Sequence, residues 1–269
     1  MQTDFTTSIL DYLNSTKKSD TYHNILWITM QNIDKLDKLT ISQLADLCYV
    51  SAPTITRLSH FFGCQNFSEF KQKIKQLGNS IEFSHFHINK NNYKLLSSTP
   101  KQYLENYTDS ITNALIDASK DMNLKQIDQF LHRLHQTDNV YFFSYSTSYY
   151  NASLLQTDLM TNHKVCICPH TIEQQRQAAN ELAENDLAIV ISCYGNMLNR
   201  FEGLINDITR SKAYTVLITQ NSTTLNAALF DEILSFAKNN HIEAGPYIMN
   251  YGFEYLGRRY HALFKNNHS

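Results

Sequence analysis

The sequence predicts an all-α N-terminal domain followed by an α/β domain built on a five-stranded parallel sheet. Three observations predict it. Apolar residues recur at helical spacing through Ile9, Leu10 and Leu13, and again through Ile25, Leu26, Trp27, Met30 and Ile33, the period of helices that bury one face. Further along, short and nearly continuous apolar runs occur at 140–144 (VYFFS), 164–168 (KVCIC), 187–192 (LAIVIS), 214–219 (YTVLIT) and 232–236 (EILSF). Separated by helical stretches, such runs are the pattern of parallel strands covered on both faces. Gly and Pro number only 7 and 4 among 269 residues, too few for a turn-rich all-β fold.

The helical N-terminal domain is expected over residues 1–78. Residues 79–100 (NSIEFSHFHINKNNYKLLSSTP) lose the helical period, are rich in Asn, Ser and Lys, and end at Pro100. They read as a linker, with Phe83, Phe86 and Tyr93 giving it something to pack with. The second domain then occupies 101–269, its helical period resuming through Leu104, Tyr107, Ile111 and Leu115 and on to Ile127, Phe130, Leu131 and Leu134.

Hydrophobic residues at 42% and charged residues at 18% are enough for packed cores and exclude wholesale disorder. The formal net charge of −2 supplies no bulk positive field, although a local basic face can still hold nucleic acid. Five cysteines, Cys48, Cys64, Cys166, Cys168 and Cys193, are odd in number and scattered, which argues against a disulfide framework. Cys166 and Cys168 alternate within an apolar run as strand residues do, and no further Cys or His stands at ligand spacing. No metal and no cofactor is expected. The N-terminus lacks a basic start and a long apolar stretch. No apolar run approaches the roughly 18 residues of a membrane span, so the cytoplasm is the expected location.

The segment 39–77 carries the sharpest pattern. Ile41, Leu44, Ala45 and Cys48 share one helical face, Ile55, Leu58 and Phe62 another, and Tyr49–Val50–Ser51 link them. This spacing fits a helix-turn-helix, with small Ala45 where the two helices approach. Ser51 is a candidate N-cap, and Pro53 falls in the first turn, where its missing N–H costs little. Ser51, Ala52, Pro53, Thr54, Thr56, Arg57 and Ser59 then lie on the outward, N-terminal part of the second helix, the part that enters a major groove. Tyr49 occupies a turn position where a positive φ is usual, which costs a tyrosine about 1 kcal/mol. The alternative is a helical hairpin within a bundle, with Arg57 a solvated charge.

LADLCYVSAPTITRLSHFFGCQNFSEFKQKI resembles the helix-turn-helix of the RpiR/MurR regulators. The matching positions are Leu44, Ala45, Val50, Ser51, Thr54, Arg57, Gly63, Phe67, Glu69 and Phe70, and Phe62 replaces the usual Leu before Gly63. The resemblance implies a five-helix N-terminal domain that binds a double-stranded DNA operator. It makes Lys71, Lys73 and Lys75 a candidate phosphate-facing set, against the plainer reading of a solvated helix face.

In an open parallel sheet, ligands bind beyond the carboxyl ends of strands at a switch in strand order. Two such ends carry clustered hydroxyls, at 144–148 (SYSTS) and 192–196 (SCYGN). Hydroxyls and backbone N–H groups at a helix start suit a phosphate, although simple capping also explains them. Residues from about 124 to 262 resemble the sugar isomerase (SIS) domain, a flavodoxin-like sandwich that follows the helix-turn-helix in RpiR regulators. Its first loop is usually G-x-G-x-S; here Ser144 and Ser146 replace both glycines and Ser148 is kept. Its second is usually S-x-S-G-x-[ST]; here Ser192 and Gly195 are kept, while Tyr194 and Met197 replace hydroxyl residues. The stretch from Thr219 through Leu225 to Asp231 fits the usual pattern better.

These residues lead to an expected regulator of sugar or amino-sugar metabolism that is not an enzyme. It would be a homodimer or tetramer controlled by a phosphorylated sugar held by Ser146, Ser148, Ser192, Tyr194, Gly195 and Asn196. Two alternatives stay open. One is a phosphosugar isomerase, for which His170, Glu181, Glu184, His241 and Glu243 are loose candidate bases. The other is a regulator whose altered SIS domain serves only to dimerise.

Overall fold

A computed structural model describes residues 5–80, 88, 90–221, 223 and 226–265. Phe83, Phe86 and Leu225 lie outside the described residues. The chain divides into two compact units, Met1–Lys90 and Asn91–Ser269.

The first unit holds α1 (Phe5–Ser15), α2 (Thr21–Gln31), a 3-10 turn (Ile33–Lys38), α3 (Ile41–Leu47), α4 (Ala52–Phe61) and α5 (Phe67–Ser80). Local chemistry sets several of the starts. Asp20 caps α2 by accepting from Tyr22 N at 2.9 Å and His23 N at 3.0 Å. It also accepts from the Tyr12 hydroxyl at 2.8 Å, tying α1 to α2; those bonds hold its carboxyl below the usual carboxylate range. Thr40 and Gln43 form a reciprocal capping box on α3. Ile25, Leu26, Leu44, Ile55, Leu58, Phe70 and Ile74 are fully buried in one core. The five α-helices agree with the resemblance.

The stretch expected to be an aperiodic linker is partly helical. Helix α5 runs to Ser80, and α6 spans Lys90–Ser98. The serine hydroxyls of this stretch fold back onto the helix. Ser97 donates to Tyr93 O and Ser98 to Lys94 O, each at 2.9 Å.

The second unit continues with α7 (Pro100–Asp121), α8 (Leu124–Gln136), β1 (Val140–Ser144), α9 (Thr147–Thr161), α10 (Ile172–Glu181) and β2 (Leu187–Ile191). Then come α11 (Asn196–Arg200), α12 (Glu202–Thr209), β3 (Tyr214–Asn221), a 3-10 turn (Ala227–Leu229), β4 (Glu232–Ala237) and α13 (Gly245–Phe264). All strand pairs are parallel, in the order β1-β2-β3-β4.

The sheet therefore has four strands, not five. Residues 164–168 make a single bridge beside β1, through Phe142 N to Ile167 O and Ile167 N to Val140 O, both 2.8 Å. Val165 is 70% and Ile167 44% exposed, so this edge segment lacks the second covered face that would extend the ladder. Past the bridge, the Gln175 amide donates to Ser144 O at 2.7 Å, supplying a bond that a longer strand would have made.

Side-chain alternation sends Phe142, Ile189, Ile191, Val216, Ile218, Leu234 and Phe236 toward α7, α8, α9 and α13, where Phe130, Leu155, Phe253 and Tyr260 meet them. Phe143, Ala188, Val190 and Leu217 face α10–α12, with Ile172, Leu204, Ile205 and Ile208. Both faces are covered, as the apolar runs require. The chain leaves β1 for the 164–168 edge and returns to β2 on the other side of β1. That reversal makes the carboxyl ends of β1 and β2 the switch point, where a doubly wound sheet leaves a crevice.

Candidate nucleic-acid interface and ligand site

In the first unit, α3 and α4 form the helix-turn-helix. Tyr49 has φ 55°, as the turn position required, and Val50 N closes the turn on Ala45 O at 2.9 Å. Ser51 takes the N-cap position, with extended φ −82° and ψ 151°, but its side chain makes no cap bond. Its hydroxyl instead lies 2.9 Å from the Thr54 hydroxyl, and Arg57 Nη2 donates to Thr54 Oγ1 at 3.3 Å. Ser51, Thr54 and Arg57 thus form a linked polar row along the start of α4. Ser51, Pro53 and Arg57 are exposed; Ala52, Thr54 and Thr56 are half-buried. Arg57 pairs with no carboxylate among the described residues.

One expectation about this face needs correction. Ser59 is 0% exposed and donates to Ile55 O at 2.9 Å. It lies one turn beyond Ile55, on the core side, and cannot reach DNA. The lysines of α5 are engaged inside their own unit. Lys71 donates to Asp37 O at 3.2 Å and Leu39 O at 3.1 Å. Lys73 pairs with Glu69 at 2.9 Å, and Lys75 pairs with the Asp37 carboxylate. A phosphate would have to displace these partners, so Arg57 is the better placed cation.

In the second unit, Ser144 and Ile191 are register partners at the ends of β1 and β2, so loops 144–148 and 192–196 leave adjacent strands. They bring Ser146, Ser148, Ser192, Tyr194, Gly195 and Asn196 to one end of the sheet. Ser146 keeps a glycine-type conformation, φ 55° and ψ −127°, at the start of α9. A serine there is strained, by an amount on the order of 1–3 kcal/mol. It is exposed, whereas Ser148 is 5% exposed. Gly195 has φ 75°, which suits glycine, and Asn196 is exposed.

The second loop is largely occupied by its own structure. Ser192 Oγ accepts from Met197 N at 3.3 Å, and Met197 is 3% exposed in the core under α11 and α12. Met197 therefore takes no space at the carboxyl end of the sheet. Tyr194 reaches across to the start of α13: its hydroxyl donates to Ile242 O, and burial pushes its phenol far above the usual value. Nearby, the Tyr107 and Tyr247 hydroxyls lie 3.0 Å apart, and Asn92 Nδ2 donates to Glu243 Oε1 at 2.5 Å.

Other sequence candidates scatter. Glu181 and Glu184 are exposed near the amino end of β2, away from the crevice. His170, His241 and Glu243 follow strand carboxyl ends; His170 packs on Tyr149 with ring centroids 4.6 Å apart, and His241 N donates to Gln220 Oε1 at 3.1 Å. Asp231 fastens β3 to β4 by accepting from Thr215 N and Oγ1, each at 2.8 Å. Burial raises the thiols of Cys48 and Cys168 to about 11 and those of Cys166 and Cys193 to about 12. A groove of about 530 Å³ lies instead between α9 and α13, lined by Leu154, Asp158, Asn162, Glu254, Arg258 and His261, where burial raises the Asp158 carboxyl. Sequence reasoning did not find this groove, because its lining residues are unremarkable on either helix alone. Among the described residues no helix is long and apolar enough to cross a membrane.

Fold and site define a protein with an N-terminal helix-turn-helix domain and a doubly covered parallel α/β domain. More particularly, residues 7–80 match the helix-turn-helix domain of the rpiR family. No curated protein matches the chain significantly. Among solved structures, the chain is similar to the NanR protein of Vibrio vulnificus complexed with ManNAc-6P. That match has a TM-score of 0.52 and 16% identity and covers 97% of this chain and 93% of that one. It is also similar to the c3406 protein of E. coli CFT073, with a TM-score of 0.50 and 13% identity over 66% of this chain and 94% of that one. At these identities the likeness is one of fold.

Proposed function

We propose that the protein is a DNA-binding transcriptional regulator of sugar or amino-sugar metabolism. The observation that carries this reading is the exposed Ser51–Thr54–Arg57 row at the start of α4 in an rpiR-family domain. Small hydroxyl residues permit close approach to a major groove, and an arginine free of carboxylates can read guanine or hold phosphate. The partner is a double-stranded operator, read by a homodimer or tetramer because two-fold operators need two-fold proteins. Cytoplasmic location follows from that role.

The α/β domain, read as a SIS domain over about 101–269, is the sensor. Its effector is a small phosphorylated sugar at the carboxyl ends of β1 and β2, where the backbone N–H groups opening α9 favour an anion. The ManNAc-6P bound to NanR supports that ligand class. A non-enzymatic role is supported by the rpiR-family match of the helix-turn-helix domain. The engagement of Ser192 with Met197 and of Tyr194 with Ile242 favours a second reading, a domain that only dimerises. Calorimetry of the full chain with ManNAc-6P and with a pentose phosphate separates the two: heat of binding supports the sensor, and silence with both supports the scaffold. Light scattering decides the assembly, since a mass near the 31.1 kDa of one chain contradicts a dimer.

A further inference from the structure

We propose that Tyr49 is a DNA-backbone contact that fixes the register of α4, a role that rests on the DNA-binding reading above. Two observations converge on it. Tyr49 has φ 55°, a left-handed conformation that glycine adopts freely and a tyrosine does not. Its side chain is 94% exposed and meets no other aromatic ring among the described residues. The local backbone would be better served by another residue, and the core gains nothing from this ring. Neither conformation nor packing accounts for a tyrosine here, and strain held where folding does not need it points to function.

The position supplies the function. Tyr49 stands three residues before α4, at the tip of the turn, so at most about 11 Å of chain separates it from the helix start. The Val50 N–Ala45 O bond at 2.9 Å and the Tyr49 N–Asp46 O bond at 3.2 Å hold the turn in place. When the start of α4 enters a major groove, the preceding turn lies beside the phosphates flanking it. A phenol hydroxyl is a neutral donor suited to a phosphate oxygen, and such contacts set orientation without reading sequence. The ring's 94% exposure leaves its hydroxyl open to a phosphate oxygen. The ligand class is the phosphodiester backbone of duplex DNA.

The test measures anisotropy of the full chain on a labelled random-sequence duplex of about 30 base pairs across a salt series, where phosphate contacts dominate affinity. Tyr49→Phe keeps ring and backbone and removes the donor; Tyr49→Gly removes the ring and relieves the strain. Both are expected to bind roughly three- to tenfold more weakly, the size of one net hydrogen bond, with the salt slope unchanged because no charge is lost. Thermal unfolding reports folding, and Tyr49→Gly is expected to be at least as stable as wild type, so its weaker binding is not unfolding. Wild-type affinity in both variants overturns the contact. Loss in Tyr49→Gly alone overturns the hydroxyl's role. If wild type itself binds no duplex at low salt, the DNA-binding reading fails and the contact with it.

Discussion

The hydroxyl end of Tyr194 packs against Gly245. A Cβ built at Gly245 would stand 2.7 Å from both Cε1 and the hydroxyl oxygen of Tyr194. The glycine at the start of α13 thus makes the space that the tyrosine fills. Together with its bond to Ile242 O, the ring forms a strap from the β2 loop to α13, across the carboxyl end of the sheet where the effector is proposed to bind. Removing the strap is expected to open the crevice. Tyr194→Ser should lose the strap's hydrogen bond, about 0.5–1.5 kcal/mol of stability, and should bind a sugar phosphate more tightly than wild type by calorimetry. Equal affinity in the two proteins would show that Tyr194 does not guard the site.

Arg57→Ala should weaken specific operator binding by about 1–3 kcal/mol, the worth of a bidentate base contact. A salt slope lower by about one, with uniform weakening across sequences, would instead place Arg57 on a phosphate. Ser59→Ala should leave DNA affinity unchanged, because Ser59 faces the core. Anisotropy on the DNA upstream of the protein's own operon measures both. An Arg57→Ala protein that folds and binds as wild type removes the row on α4 from the interface.

Gly252→Ala should destabilise the α/β domain. Its Cβ would lie 2.4 Å from the ring of Phe236, which is fully buried and packs edge-on against Phe253 with centroids 5.9 Å apart. Neither ring has room to retreat, so overpacking of about 1–3 kcal/mol is expected. Thermal unfolding would read it as a lower Tm.

Asp128 and Arg259 join α8 to α13 through two bonds, Nε to Oδ1 at 2.8 Å and Nη2 to Oδ2 at 2.7 Å. The guanidinium holds the Asp128 carboxyl below its ordinary value. A lowered carboxyl stabilises the fold above its unfolded pKa of about 3.9 and loses that stabilisation as pH falls through the folded value. Wild type should therefore melt above Asp128→Asn at about pH 6, with the gap closing as pH falls through the lowered Asp128 value. A gap that does not change with pH would mean the pair contributes through packing alone.

The strands were legible because each is a short apolar run flanked by polar residues, and four of the five runs became strands close to their expected limits. The run at 164–168 has the same composition, but a strand also needs a covered second face, and sequence does not say which run falls at the edge. Ser59 was misread although its place four residues after Ile55 carried the answer; its hydroxyl suggested a surface. The partners of the α5 lysines were not legible, since Asp37, which engages both Lys71 and Lys75, is more than thirty residues away. The loops at 144–148 and 192–196 stood out by their hydroxyls, and the pairing of β1 with β2 sets them side by side. That Tyr194 spans to Gly245, about fifty residues on, depends on packing that no local pattern records.

The sheet order follows the order of the chain, each strand pairing with the one made just before it. The sheet can therefore grow strand by strand during synthesis. Helices α10–α12 can close their face as soon as β3 arrives. The other face waits for α13, which follows every strand it covers and carries the buried Ile248, Met249, Phe253, Leu256 and Tyr260. Until that helix leaves the ribosome, Ile189, Ile191, Val216 and Phe236 have only part of their cover. For that interval the nascent protein carries a large sticky surface, which marks the moment when it is most exposed to aggregation and most in need of a chaperone.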